Sequence, residues 1–132
     1  MHFRFVVRDR DEVCGLELGF FQRAYSVRNG EIDAPPWVRD QLRLELGWFN
    51  LHLDVPERFG RSAGRRGWIR GICWFRPEAH QAIDRARYVA WLMTEAEVPV
   101  EEIRRSCPGE VIWQDHQQVV AKPPRDLAKA FG

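Results

Sequence analysis

The sequence predicts an α+β domain. Its expected form is a mixed, mainly antiparallel sheet of about five to seven strands, with two main helices and one C-terminal βαβ unit. Three observations lead there. Apolar residues alternate with polar ones near both ends of the chain, as in strands with one buried face. Two long central segments instead repeat apolar residues every three or four positions, the helical period. A strand, a helix and a second strand then follow one another over some 35 residues, the order of a βαβ unit. A length of 132 residues suits one domain over 1–132, ending in a tail at 123–132.

Taken in order, Phe3, Phe5 and Val7 alternate with His2, Arg4 and Arg8, which predicts a first strand. After Asp9-Arg10-Asp11, the residues Cys14, Leu16, Leu18 and Phe20 alternate with Gly15, Glu17 and Gly19. A second strand is expected there, paired with the first as a hairpin. Asn29-Gly30 tolerates positive φ at both residues. It is expected to end an extension of the second strand and to start a short return at Glu31-Ile32.

Pro35-Pro36 suits a helix start. Val38, Leu42, Leu46, Phe49 and Leu53 make one apolar stripe, and Trp37, Leu44, Trp48 and Leu51 a second. A helix over 37–53 with apolar residues on more than half its circumference is buried on two sides. The second side lies under another element or in a subunit interface. Val55-Pro56 is expected to end it.

Ile69 to Phe75 reads as a strand, being β-branched and aromatic with little charge. Pro77-Glu78 starts a second helix running to about Ala96, with Ala79, Ile83, Ala86, Ala90 and Met93 as its apolar stripe. A strand near Glu102 to Ser106 follows. Val111 and Trp113, then Val119 and Ala121, flank Asp115-His116 and predict a closing hairpin. In the tail, Leu127 and Phe131 stand at i and i+4. Leu16-Glu-Leu-Gly-Phe-Phe-Gln22 echoes Leu44-Glu-Leu-Gly-Trp-Phe-Asn50, and at seven residues chance accounts for it.

Charge singles out one segment. From Arg58 to Gly71 stand five arginines, four glycines and no acid. That is +5 against a chain total of +1, which leaves −4 for the rest. Arg58, Arg61, Arg65, Arg66 and Arg70 suit an anionic ligand or nucleic acid, and Trp68 suits stacking on a base. The competing reading is a solvated connector. Only Lys122 and Lys129 of the twenty basic residues are lysines, so arginine is this chain's general habit. The acidic run Glu95, Glu97, Glu101 and Glu102 has the opposite sign and could meet the segment across an interface.

Three common catalytic motifs are absent: no Gly-x-x-x-x-Gly-Lys-Ser/Thr, Gly-x-Gly-x-x-Gly or His-Glu-x-x-His occurs. Gly60, Gly64 and Gly67 lack the lysine and hydroxyl of a phosphate loop. His80 and Asp84 share a helix face, two ligands where a metal needs more. Asp115-His116 suits a turn. Cys14, Cys73 and Cys107 are three, widely spaced, and fit reduced thiols rather than a disulfide frame or a zinc site. No apolar run reaches the ~18 residues of a membrane span, and the start lacks a signal-peptide pattern. The default expectation is a cytoplasmic protein without metal or cofactor.

Gly71-Ile-Cys-Trp-Phe-Arg76, the helix after it, and Pro108-Gly-Glu-Val-Ile-Trp-Gln-Asp-His-Gln-Gln-Val-Val-Ala-Lys-Pro123 resemble the C-terminal half of small uncharacterised bacterial proteins. The resemblance implies a stand-alone bacterial domain and no activity, cofactor or catalytic residue. The function expected first is a non-enzymatic, self-associating interaction or regulatory module, a homodimer, with Trp37, Trp48 and Phe49 in its interface, since tryptophan is favoured at binding hot spots. An anion or nucleic-acid binder using the Arg/Gly segment is the second class. An enzyme with a site around His80, Asp115 or His116 is the third.

Overall fold

The computed structural model describes residues 1–10, 17–54, 60–62 and 68–122, with the side chains of 8–10, 17–19, 60–62 and 68–70 left aside. The expected course of 11–16, the helix stop at Val55-Pro56, the loop arginines Arg58, Arg65 and Arg66, and the tail at 123–132 lie outside the described residues.

The chain is α+β, as expected. Its elements run β1 (His2–Arg10), β2 (Glu17–Gly19), α1 (Phe20–Arg28), α2 (Pro36–His52), β3 (Gly60–Ser62), β4 (Trp68–Arg70), β5 (Ile72–Phe75), α3 (His80–Glu95), β6 (Glu101–Arg105), β7 (Glu110–Gln114) and β8 (Gln118–Lys122). Six strands form the main sheet, and β3 with β4 forms a separate ribbon. Among the described residues every pairing is antiparallel, so the sheet is not mixed. Three helices stand where two were expected.

The added helix is α1. Phe20, Ala24 and Val27, at i, i+4 and i+7, are its buried face. The alternation of the preceding residues thus ends at Gly19, and Phe20 opens a helix instead of closing a strand. Asn29-Gly30 is a helix stop and not a hairpin. Gly30 has φ 82°. Its N–H donates to the Val27 carbonyl (3.1 Å), and the Glu31 N–H donates to the Ser26 carbonyl (2.9 Å). This pair of bonds is the Schellman closure of a helix end.

Strand β1 organises the sheet. His2 to Val6 pair continuously with β6 along one edge. Phe3 also pairs with Phe75 of β5, and Val6 with Gly19 of β2. A strand residue has two neighbours, so β5 and β2 follow one another along the other edge. The sheet therefore forks at Arg4 and Phe5, between those two rungs. Strands β5 and β6, both antiparallel to β1, are parallel to each other with β1 between them. The expected βαβ unit is thus present in split form around α3. Hairpin β7–β8 extends the sheet beyond β5.

All three helices contribute to one core against Phe5, Val7 and Phe75, around Val38, Leu42, Leu46, Phe49, Ile83, Val89 and Leu92. Ile72, Trp74 and Val119 form a second, smaller cluster with Ile103. Gly71 separates what was expected as one strand, leaving Trp68–Arg70 in the ribbon and Ile72–Phe75 in the main sheet. Helix α3 starts at His80, after a turn in which the Ala79 N–H donates to the Arg76 carbonyl (3.0 Å).

Candidate functional site: the outer face of helix α2

Helix α2 carries two apolar stripes, and the chain buries one of them. Val38, Leu42, Leu46 and Phe49 point into the core. On the far side stand Trp37, Leu44 and Leu51, which are 46%, 66% and 83% exposed. They recur every seven residues, so they line up along the helix over roughly 21 Å. No described element of the chain covers them. The expected burial on two sides therefore holds for one side of the isolated chain.

Helix α3 borders this stripe and adds to it. Trp91, 49% exposed, meets Trp37 with ring centroids 5.9 Å apart. Tyr88 stacks on Trp91 at 5.9 Å and donates its hydroxyl hydrogen to Gln41 Oε1 (3.0 Å). Lower down, Arg85 lies over the Trp48 ring (4.6 Å) and donates to Glu45 (3.1 Å). His52 stacks on Trp48 at 4.6 Å. Packed against these neighbours, Trp48 is half-buried.

Of the expected interface residues, Trp37 is thus at the surface and Trp48 at its edge. Phe49 is not at the surface: it is 4% exposed and packs edge-on against Phe21 at 5.0 Å. Its place in the Val38–Leu42–Leu46 stripe is the physical reason, and that stripe was legible. Trp91 was missed. It falls outside the buried stripe of α3 and three residues after Tyr88, which is the signal that could have found it.

The Arg/Gly segment folds back on itself. Strands β3 and β4 pair Gly60 with Arg70, Arg61 with Ile69, and Ser62 with Trp68. The backbone of Arg61, Trp68 and Arg70 therefore belongs to one short ribbon.

No protein-family model, curated protein or solved structure matches the chain.

Of the residues of the enzyme reading, Asp115 serves a turn. Asp115 Oδ1 accepts from the N–H groups of Gln117 (2.8 Å) and Gln118 (2.7 Å), closing the β7–β8 turn. Arg76 donates to the Asp115 carbonyl (2.9 Å) and ties that turn to β5. His80, Asp84 and His116 are exposed. Asp84 lies 3.9 Å from Arg87. Among the described residues no three His, Cys, Asp or Glu side chains gather as a metal site would require. Cys73 and Cys107 are free thiols. Glu102, from the acidic run, is engaged within the chain by Arg87 Nε (2.7 Å) and Arg104 Nε (2.7 Å). Those two guanidiniums hold its carboxyl below the ordinary value, Arg87 first. Among the described residues no helix is long and apolar enough to cross a membrane.

Proposed function

We propose that the protein is a self-associating interaction module, and that two copies meet through the outer face of α2 with the Trp91 edge of α3. The observation that carries this reading is the exposed stripe Trp37–Leu44–Leu51. Large apolar groups aligned on one face mark an interaction surface, whereas scattered ones do not. The spacing favours a second copy as the partner. Trp37 and Leu51 stand seven residues either side of Leu44, so an antiparallel α2 pair with its two-fold axis at Leu44 sets Trp37 against the partner's Leu51. Such an isologous contact matches itself without further residues. Gly47, beside the stripe, has nothing within 4 Å of the position a Cβ would take, so the helices can approach there.

Sedimentation equilibrium at micromolar concentration tests this. The wild type is expected as a dimer and Leu44→Glu as a monomer with unchanged circular dichroism, since Leu44 lies outside the core. A monomeric wild type sinks the reading.

A second reading keeps the anion-binding class. It rests on the local charge of +5 between Arg58 and Gly71, within which Arg61 and Arg70 belong to the antiparallel ribbon. Binding of single-stranded RNA that weakens steeply with salt, and is lost in an Arg61→Ala/Arg70→Ala variant, would favour it.

A further inference from the structure

The fork in the sheet opens a cleft that the interaction surface does not use. It has a volume of about 460 Å³, within the roughly 300–1,000 Å³ of small-molecule sites. The C-terminal end of α2 and the start of α1 roof it, while β1, β5 and β8 provide the rest. Its existence follows from the topology. Strand β5 leaves β1 after Phe3–Phe75, β2 joins only at Val6, and the sheet is open between them.

The walls are aromatic. Phe5, Phe20, Phe21, Phe49 and Phe75 line the cleft and hold one another edge-on or tilted at 4.6–6.4 Å. Tyr25 adds a ring at the rim, where its hydroxyl donates to Asn50 Oδ1 (3.0 Å). These rings are fixed by the core behind them, so the apolar surface is pre-formed and costs little to order on binding.

One polar group stands out in this lining. Gln118 is the one buried polar or charged residue among the described residues, at 3% exposure. Its orientation is set by its partners. The Asp54 carbonyl can only accept, so the amide NH₂ faces it (2.7 Å). The Cys73 thiol donates to the Oε1 (3.0 Å). Burial pushes that thiol up to about 12, so it keeps its hydrogen at neutral pH. One of the two lone pairs of the carboxamide oxygen is thereby used. Among the described residues the carboxamide donates one hydrogen bond and accepts one, and these two bonds fix its orientation in the cleft lining. Arg4 and Asp54 line the cleft with opposite charges, so the site favours neither anion nor cation.

We infer that this cleft is a binding site for an uncharged, largely aromatic small molecule carrying one hydrogen-bonding polar group, which the Gln118 carboxamide receives. The rings supply shape and apolar contact; the carboxamide sets orientation. This site is independent of self-association through α2.

The neutral naphthyl ketone 6-propionyl-2-dimethylaminonaphthalene is the probe, since it has an aromatic body, one carbonyl acceptor and emission that shifts blue in apolar surroundings. Titration is expected to saturate at one probe per chain. Asn50→Trp places an indole at the rim from an exposed helix position and is expected to weaken binding by about tenfold or more. Leu44→Glu, on the opposite side of α2, should leave it unchanged. Non-saturating emission, equal affinity in Asn50→Trp, or loss of binding in Leu44→Glu would each overturn the assignment. Should Asn50→Trp fail to fold, the wild type still decides. The Gln118 side-chain amide resonance must shift on saturation, and an unmoved resonance refutes the site.

Discussion

Among the described residues Glu97 is the one residue other than glycine with positive φ, at 61°. It closes α3 as Gly30 closes α1. The Glu97 N–H donates to the Thr94 carbonyl (2.9 Å) and the Val98 N–H to the Met93 carbonyl (2.9 Å), the same Schellman pair of bonds. Val98 packs against the core and completes the motif. A left-handed conformation costs a residue with a Cβ roughly 1–2 kcal/mol. Glycine escapes that cost but loses roughly 0.5–1 kcal/mol more chain entropy on folding. Glu97→Gly should therefore stabilise the protein by about 0.5–1 kcal/mol, a rise in Tm of roughly 2–4 °C at this size. The Glu97 side chain is exposed, so little packing is lost. Urea unfolding of Glu97→Gly beside Glu97→Ala isolates the backbone effect, because alanine removes the carboxylate and keeps the strain. If the glycine variant is no more stable than the alanine variant, the reasoning fails. The reciprocal change, Gly30→Ala, should cost about 0.5–1 kcal/mol, by the same balance of strain and chain entropy. An added Cβ there meets only the flexible end of Arg39, at 3.4 Å, so the backbone supplies the penalty.

Two further changes probe the elements around the interaction surface. Gly47→Ala puts a methyl into open space within a helix; in the monomeric Leu44→Glu background it should stabilise by about 1 kcal/mol, read as a rise in Tm by calorimetry. Glu102→Gln should destabilise by about 0.5–1 kcal/mol at neutral pH, since it loosens α3 from β6. The carboxyl is depressed in the folded state, so its contribution is present above the ordinary 4.5 and is lost as pH falls through the lower folded value. The wild-type and Glu102→Gln urea midpoints should accordingly converge below that pH.

The strands and long helices were legible because their faces are sharply divided. Phe3, Phe5 and Val7 turn to the helices as their alternation requires, and Val38, Leu42, Leu46 and Phe49 mark the buried side of α2. Helix α1 was not legible, because Asn29-Gly30 serves a tight hairpin and a helix stop equally well: both demand positive φ. The repeated Glu-Leu-Gly makes the same point. Glu17–Gly19 is strand β2, while Glu45 to Gly47 lies within α2. Three residues hold too little local preference to choose, and the neighbour that offers a partner chooses for them. In one case that is the free edge of β1, in the other the core beneath Leu46.

The candidate surface divides in the same way. Periodicity along the chain marks two apolar stripes on α2, since that information is local. Which stripe meets the core depends on where the sheet lies, and this separated buried Phe49 from exposed Trp37 and brought Trp91 beside it. The cleft left no local trace at all. Its rings come from segments more than fifty residues apart, and its opening exists because β1 changes partner between Phe3 and Val6. Strand exchange along an edge is a property of the assembled sheet, and no window of sequence contains it.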